Sequence, residues 1–306
     1  MITVIGPNPA IDITLEVPHF APGEVWRART ALHVGGGKPL NVSRTLRRLG
    51  EPVTLVTPLG ELYGGADVVR DTCDELGIEL RALRVEGAVR TCVVVVDSEQ
   101  GISTLINERG APLSSLEAAA YEQLVRDNLP HQGLVIASGS ISPGLPIDLY
   151  ARLATWTHER GTRLIVDTSE DALRRTLEEK PWAIKVNSEE LKAVTGAGNV
   201  REGAADLLRN GVEHVIITMG EEGALYVGSQ GALRVSAAPV RAVNPTGAGD
   251  AFLAGLAWCL QAGGSWGEAL LRAAATSGLV AAQLSPDIGP HPDLEEILPR
   301  IHICPV

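Results

Sequence analysis

Short apolar runs alternate with segments of helical period along most of the chain, and this alternation limits the fold more than any single residue does. PVTLVTPLG (52–60), LVIASGS (134–140), RLIVDTS (163–169), WAIKVN (182–187) and HVIITMG (214–220) are strand-length and rich in Val, Ile and Leu. Between them stand helical patterns, among them ADVVRDTCDELG (66–77), SLEAAAYEQLVRDNL (115–129), IDLYARLATWTHERG (147–161), DALRRTLEEK (171–180) and REGAADLLRNG (201–211). Strands with no polar alternation are buried on both faces, so the pattern predicts βαβ units and a mostly parallel sheet between two helical layers. GALYVGSQGALRVSA (223–237) reads as a hairpin, and two apolar helices, 247–263 and 266–284, follow. A length of 306 residues suits one α/β domain spanning 1–306.

Four segments break the alternation: AIDITLEV (10–17), EVWRARTALHV (24–34), IELRALRV (78–85) and the pair RTCVVVVD and ISTLIN within 90–107. In the first, Ile11, Ile13, Leu15 and Val17 alternate with Asp12, Thr14 and Glu16. Period two means a sheet with one wet face. These strands are expected to form a small separate sheet, a lid, with Asp12 on its polar side.

Charge and composition exclude several classes. A net charge of −11 lacks the footprint of a nucleic-acid binder. No run of about 18 apolar residues points to a membrane span. Cys73, Cys92, Cys259 and Cys304 form no C-x-x-C pair and are read as reduced, mostly buried thiols in a cytoplasmic protein.

In an open parallel sheet, ligands bind beyond the carboxyl ends of the strands. Those ends carry Ser138-Gly139-Ser140, Asp167, Asn187 and Met219-Gly220. The sharpest segment is Asn244-Pro-Thr-Gly-Ala-Gly-Asp-Ala-Phe, which runs into an apolar helix. Gly247 and Gly249 allow close backbone approach, and a helix start offers free N–H groups and a positive dipole end to a phosphate. Asp250 in that first turn reads either as an ordinary helix-start carboxylate or as a general base beside the phosphate. A second segment, Gly35-Gly36-Gly37-Lys38-Pro39-Leu40-Asn41, sets exposed N–H groups, a cation and an amide before a helix, a pattern suited to a polyol. Arg90 offers forked donors to an anionic substrate group; Arg27 and Arg109 are weaker candidates of the same kind. Position 252 is Phe, so the dinucleotide fingerprint fails, and Lys38 is followed by Pro39, so there is no P-loop.

These residues resemble the ribokinase-like (PfkB) carbohydrate kinases, in the branch of 1-phosphofructokinases and tagatose-6-phosphate kinases. The resemblance runs from Ile2 to about Ile301 and rests on NPAID (8–12), GGGKPLNVSRTLRRLG (35–50), RT (90–91), INERG (106–110), SGSISPG (138–144), KVNSEEL (185–191), ITMGEEGAL (217–225) and NPTGAGDAF (244–252). It implies a ribokinase-like α/β/α sandwich with a β-sheet lid, and ATP and Mg2+ as phosphoryl donor and cofactor. Asp250 then corresponds to the catalytic base, and Gly247, Ala248 and Gly249 to an anion hole. Asp12, Gly36, Gly37, Lys38 and Asn41 correspond to sugar contacts, and Arg90 to a substrate-phosphate contact. Lys185, Asn187, Thr218, Gly220 and Gly223 correspond to nucleotide-contacting positions. Asn187 and Glu190 resemble the pair that organises Mg2+ through water. The lid of such kinases is often a dimerisation surface, so a homodimer is expected.

The expected reaction is phosphorylation of a ketohexose phosphate, first fructose 1-phosphate to fructose 1,6-bisphosphate. Tagatose 6-phosphate, fructose 6-phosphate, or an unphosphorylated sugar or nucleoside are alternatives, as is a non-catalytic sugar or nucleotide sensor. Pro39 departs from the usual small residue after Gly-Lys and is expected to reshape the substrate loop. Asn244-Pro245-Thr246 departs from the usual lead-in to the glycines, and Arg109 stands where proline is frequent.

Overall fold

The computed structural model describes residues 1–229, 231–290 and 292–306. The first half of the chain forms β1 (Ile2–Ile5), β2 (Ala10–Val17), β3 (Thr30–Gly36), α1 (Gly37–Arg48), β4 (Val53–Leu62), α2 (Gly65–Leu76), β5 (Glu79–Ala88), β6 (Arg90–Asp97), β7 (Ile102–Asn107) and α3 (Ser115–Asp127). The second half forms β8 (Leu134–Ser138), α4 (Leu149–Arg160), β9 (Arg163–Asp167), α5 (Glu170–Glu178), β10 (Ala183–Asn187), α6 (Ser188–Thr195), α7 (Val200–Arg209), β11 (His214–Thr218), β12 (Ala224–Gly228), β13 (Gly231–Val235), α8 (Ala248–Gln261), α9 (Trp266–Ala281) and β14 (Ile303–Pro305).

The large sheet has the order β14-β13-β12-β11-β10-β9-β8-β1-β4-β5. It is parallel from β11 to β5, and β12, β13 and β14 extend it antiparallel. Burial on both faces explains the unbroken apolar strands: β1 and β8 are buried at every position. One face packs on α1, α8 and α9 through Leu40, Leu46, Leu253, Leu256 and Leu270. The other packs on the helices from α3 to α7 through Tyr121, Leu149, Leu153, Leu173 and Leu207. From β1 the chain builds outward to β4 and β5 on one side and to β8 and its successors on the other. That reversal of order opens a crevice at the carboxyl ends of β1 and β8.

A second sheet, ordered β3-β2-β6-β7, stands apart as the lid. It differs from the sequence expectation in three ways. The segment 78–85 is not a lid strand: β5 pairs parallel with β4 at the edge of the large sheet, as the return strand of a β4-α2-β5 unit. An edge strand has one wet face, so its alternation imitated a lid strand. Next, β3 begins at Thr30 rather than residue 24. Its partner β2 ends at Val17, and Pro18 has no N–H to extend the ladder. Finally, the wet face of β2 is the apolar one. Asp12 and Thr14 are buried toward the crevice, whereas Ile13 and Leu15 are only half-buried on the outer face.

Pro39 lies in the first turn of α1, where its missing N–H removes no intrahelical bond. Its ring fills the space beside Gly6, where a Cβ would lie 2.3 Å from Pro39 Cβ. Proline thus fits this helix start. All four cysteines are free; Cys73, Cys92 and Cys259 are buried and Cys304 is exposed. No helix among the described residues is long and apolar enough to cross a membrane.

Candidate active site

The site is built where two helix starts, α1 and α8, meet over the crevice. Gly247 precedes α8 with φ of 83°, a conformation that favours glycine, and a Cβ there would lie 2.8 Å from Pro286 Cβ. Ala248 turns its N–H to Pro245 O at 3.1 Å. The free first-turn donors are therefore the N–H groups of Gly249 and Asp250.

Asp250 is 6% exposed and forms no ion pair within 4 Å among the described residues. Its carboxylate accepts from Asn41 Nδ2 at 3.1 Å. The same amide nitrogen lies 3.5 Å from Asp12 Oδ2, and Asp12 Oδ1 accepts from Gly37 N–H at 3.1 Å. A Cβ on Gly36 would fall 2.1 Å from the Asp12 carboxyl carbon, so only glycine lets this strand end close on the acid. Asp12, Gly36, Gly37, Asn41 and Asp250 thus converge.

Opposite them, Asp167 at the end of β9 is fully buried between two ammonium groups. Lys38 Nζ lies 2.7 Å from one carboxylate oxygen and Lys185 Nζ 2.9 Å from the other. A Cβ on Gly249 would be 3.2 Å from Lys185 Nζ, which places that ammonium against the first turn of α8. Lys38 also reaches to 4.0 Å from Glu190 Oε1.

The titration behaviour follows from these neighbours. Burial raises the Asp250 pKa to about 6, with Asp167 adding to the rise and Lys38, Lys185 and Asn41 opposing it. Burial also works against the charge of Asp167, but Lys185 and Lys38 outweigh it and hold the carboxyl below its ordinary range. For Lys38, burial is outweighed by Asp167, Asp250 and Glu190, so the ammonium stays charged. Burial raises Asp12 against the opposing pull of Gly37 N–H, Arg44, Asn41 and Arg90.

Arg90 stands at the start of β6. Its Nη1 donates to Glu108 O at 3.2 Å and its Nη2 to Asn8 O at 3.3 Å. Its buried Nε has no partner among the described residues. The cleft beside it is lined by Asn8, Gly110 and Ser142, among others. Arg27 and Arg109 are exposed.

Asn187 and Glu190 form a reciprocal cap on α6. Asn187 Oδ1 accepts from Glu190 N–H at 2.7 Å, and Glu190 Oε2 accepts from Asn187 N–H at 2.8 Å. Thr218 pairs with Asn187 across β10 and β11 and donates its hydroxyl to Val186 O at 3.4 Å. Gly220, with φ of 58°, opens the turn after β11. At Gly223 a Cβ would lie 2.0 Å from Val235 O, so this glycine is required by the approach of β13. These positions lie at and just beyond the carboxyl ends of β10 and β11, and Glu190 approaches the Asp250 cluster through Lys38.

Asp167 belongs to the site although the sequence marks it only as one polar strand end among several. Arg44 and Pro286 carry no local signal. They enter through contacts across the chain: Arg44 Nη1 donates to Asn41 Oδ1 at 2.8 Å and to Pro286 O at 3.2 Å.

Residues 1–293 match the model of the pfkB family of carbohydrate kinases. Over 311 residues the chain is 30% identical to a 1-phosphofructokinase of Haemophilus influenzae, covering 99% of this chain and 97% of that protein. A 1-phosphofructokinase of Xanthomonas campestris is 36% identical over 268 residues, covering 83% of this chain and 82% of its own length. Phosphofructokinase-2 of Escherichia coli, solved with substrates and products, superposes with a TM-score of 0.89 at 23% identity, covering 98% of both chains. A ribokinase of Thermotoga maritima superposes with a TM-score of 0.77 at 23% identity over 97% of both. These two likenesses concern the fold.

Proposed function

The chain belongs to the pfkB family of carbohydrate kinases, and we propose that within it the acceptor is fructose 1-phosphate, converted to fructose 1,6-bisphosphate at the expense of ATP. It is a sugar-phosphate kinase of the phosphofructokinase type, a phosphotransferase with an alcohol acceptor. The choice of fructose 1-phosphate is supported by the curated relatives and by Arg90, whose charge is near enough to act on Asp12.

The observation that carries the mechanism is the Asp250 carboxylate: buried, free of an ion pair, and raised to about 6. Such a group is largely ionised at pH 7 to 8 yet basic enough to accept a proton. In this reading Asp250 takes the proton of the acceptor's primary hydroxyl. The oxygen attacks the γ-phosphorus in line, and the bond to the β–γ bridging oxygen breaks to release ADP. The Gly247-Ala248-Gly249 turn, with Gly249 N–H foremost, faces the charge that grows on the transferring group. Lys38 and Lys185, fixed by Asp167, supply positive charge on the other side. Asp12 and Asn41, with the backbone at Gly36 and Gly37, orient the sugar, and Arg90 binds its phosphate. Lys185, Asn187, Thr218, Gly220 and Gly223 line the nucleotide side.

The reading includes Mg2+. Among the described residues no group of three or more His, Cys, Asp or Glu side chains could cage a metal. Asn187 Oδ1 and Glu190 Oε2 are spent on the α6 cap, which leaves Glu190 Oε1 as a hard oxygen donor. That set fits an ion held through water and by the nucleotide phosphates, where it would neutralise phosphate charge. We place the protein in the cytoplasm, where its free cysteines remain reduced, and as a homodimer through the outer face of the lid. That face carries Ile13 and Leu15 half-buried and Ile102 and Ile106 at 54% and 61% exposure.

The test is a coupled ADP-release assay on fructose 1-phosphate, fructose 6-phosphate, tagatose 6-phosphate, free hexoses and nucleosides. Fructose 1-phosphate is expected to give the highest kcat/KM. A higher value with any other acceptor would replace the substrate, and equal values with and without the sugar phosphate would remove Arg90 from the phosphate site.

A further inference from the structure

An arginine is costly to bury, and Arg44 is 3% exposed with no carboxylate in direct contact among the described residues. Three oxygens surround it instead. Nη1 donates to Asn41 Oδ1 at 2.8 Å and to Pro286 O at 3.2 Å, and Nη2 donates to Gly35 O. Each acceptor belongs to a different part of the site. Gly35 opens the sugar loop. Asn41 is the amide that faces Asp250 and Asp12. Pro286 is the residue on which Gly247 closes.

A primary amide has a donor end and an acceptor end, and only one orientation serves two carboxylates. Guanidinium is a donor alone, so its contact fixes the oxygen of Asn41 toward Arg44 and the nitrogen toward Asp250. We propose that Arg44 is a positioning residue for phosphoryl transfer: it holds the Asn41 amide with its N–H groups on Asp250 and Asp12, and it ties the sugar loop to the segment that seats the Gly247 turn.

This inference rests on the reading of Asp250 as the base. The charged and titratable groups around Arg44 are Asp287, Asp12, Arg48 and Cys73. Those around Asp250 are Lys38, Asp167 and Lys185. Arg44 acts on Asp250 only through Asn41, whose N–H lowers the Asp250 pKa. Loss of that orientation moves the acid limb of the kcat profile to higher pH.

The test is a double-mutant cycle on the full chain: Arg44→Lys, Asn41→Ala and both together, with Asp250→Asn alongside. Lysine keeps the charge but cannot serve three acceptors in fixed directions. Arg44→Lys is expected to lower kcat roughly 10- to 100-fold, the scale of a misplaced reacting group, and to shift the acid limb upward, with KM for ATP unchanged within about twofold. On the Asn41→Ala background the same substitution should lower kcat clearly less than on the native background, because coupled residues fail to add; what remains is the tie between Gly35 and Pro286. Full additivity overturns the proposal and leaves the base reading intact. Near-normal turnover in Asp250→Asn overturns the base reading itself, and the proposal with it. Should Arg44→Lys not fold, Asn41→Asp decides: it keeps an oxygen for Arg44 but gives Asp250 no donor, and normal kcat in that variant overturns the proposal.

Discussion

In the role proposed for it, the Asp250 side chain sets catalysis against stability. Its folded pKa of about 6 stands above the ordinary 3.8, so folding penalises the charged form. Below about pH 4 both folded and unfolded states hold the proton and there is no penalty. Stability then falls as pH rises toward 6, and the full cost, on the order of 3 kcal/mol, applies above it. Asp250→Asn should therefore lower kcat by roughly 10²- to 10⁴-fold, the weight of a general base. It should also raise Tm at pH 8 and leave it unchanged near pH 4. Calorimetry at the two pH values, with nucleotide binding as a control, checks this. A lower Tm at pH 8 would show that the carboxylate stabilises the fold. At this scale the sequence revealed residues whose neighbours in the chain already hint at their use. Asp250 follows two glycines at a helix start, and Lys38 and Asn41 share the first turns of α1. Asp167 and Arg44 were less legible, because their meaning lies in partners far along the chain: Lys38 for the first, Pro286 for the second.

The elements that carry the site were legible where period and caps agree. The start of α8 at the glycines and the long α9 after Ser265, which caps it with Glu268, follow from local chemistry. Strand assignment to a sheet was less legible, since β5 and the lid strands share one alternating pattern and differ only in the edge they meet. How closely α8 approaches α9 is also beyond a single sequence. At Gly255 a Cβ would lie 2.7 Å from Thr276 Oγ1 and 3.0 Å from both Ala273 Cα and Arg272 O. The hydroxyl can turn away; the backbone cannot. Gly255→Val gains a few tenths of a kcal/mol in helix propensity but costs about 1–3 kcal/mol in overpacking, so overpacking wins. Thermal unfolding should show a Tm lower by about 2–8 °C. An unchanged Tm would mean that the two helices separate without cost.

At the scale of the whole molecule, the lid is one sheet with two unlike faces. Its inner face carries Asp12 from β2, and Ser103 from β7 reaches 3.2 Å from Asn244 Oδ1, which also accepts from Thr246 N–H just before the phosphate turn. Its outer face presents Ile13, Leu15 and Val93 half-buried and Ile102 and Ile106 exposed. Exposed apolar sheet surface of this kind costs free energy at about 25 cal/mol per Å². In the proposed homodimer a second copy packing about a two-fold axis would remove that cost, since each chain offers the same patch. The alternation of β2 was legible but not which of its faces is covered, because the crevice that buries Asp12 and Thr14 is built by segments far along the chain. Sealing the outer face should also hold the inner face in shape, so dimerisation and sugar binding are expected to be coupled. Ile13→Glu with Ile106→Glu should give a folded chain that sediments at 32.3 kDa while the unmodified protein sediments at twice that mass. Its KM for the sugar phosphate should rise about tenfold with KM for ATP little changed, the split expected when uniform acceptor binding is lost. An unmodified protein that sediments as a monomer at micromolar concentration would end the dimer proposal. A monomeric variant with unaltered KM would leave the dimer but sever its link to the sugar site.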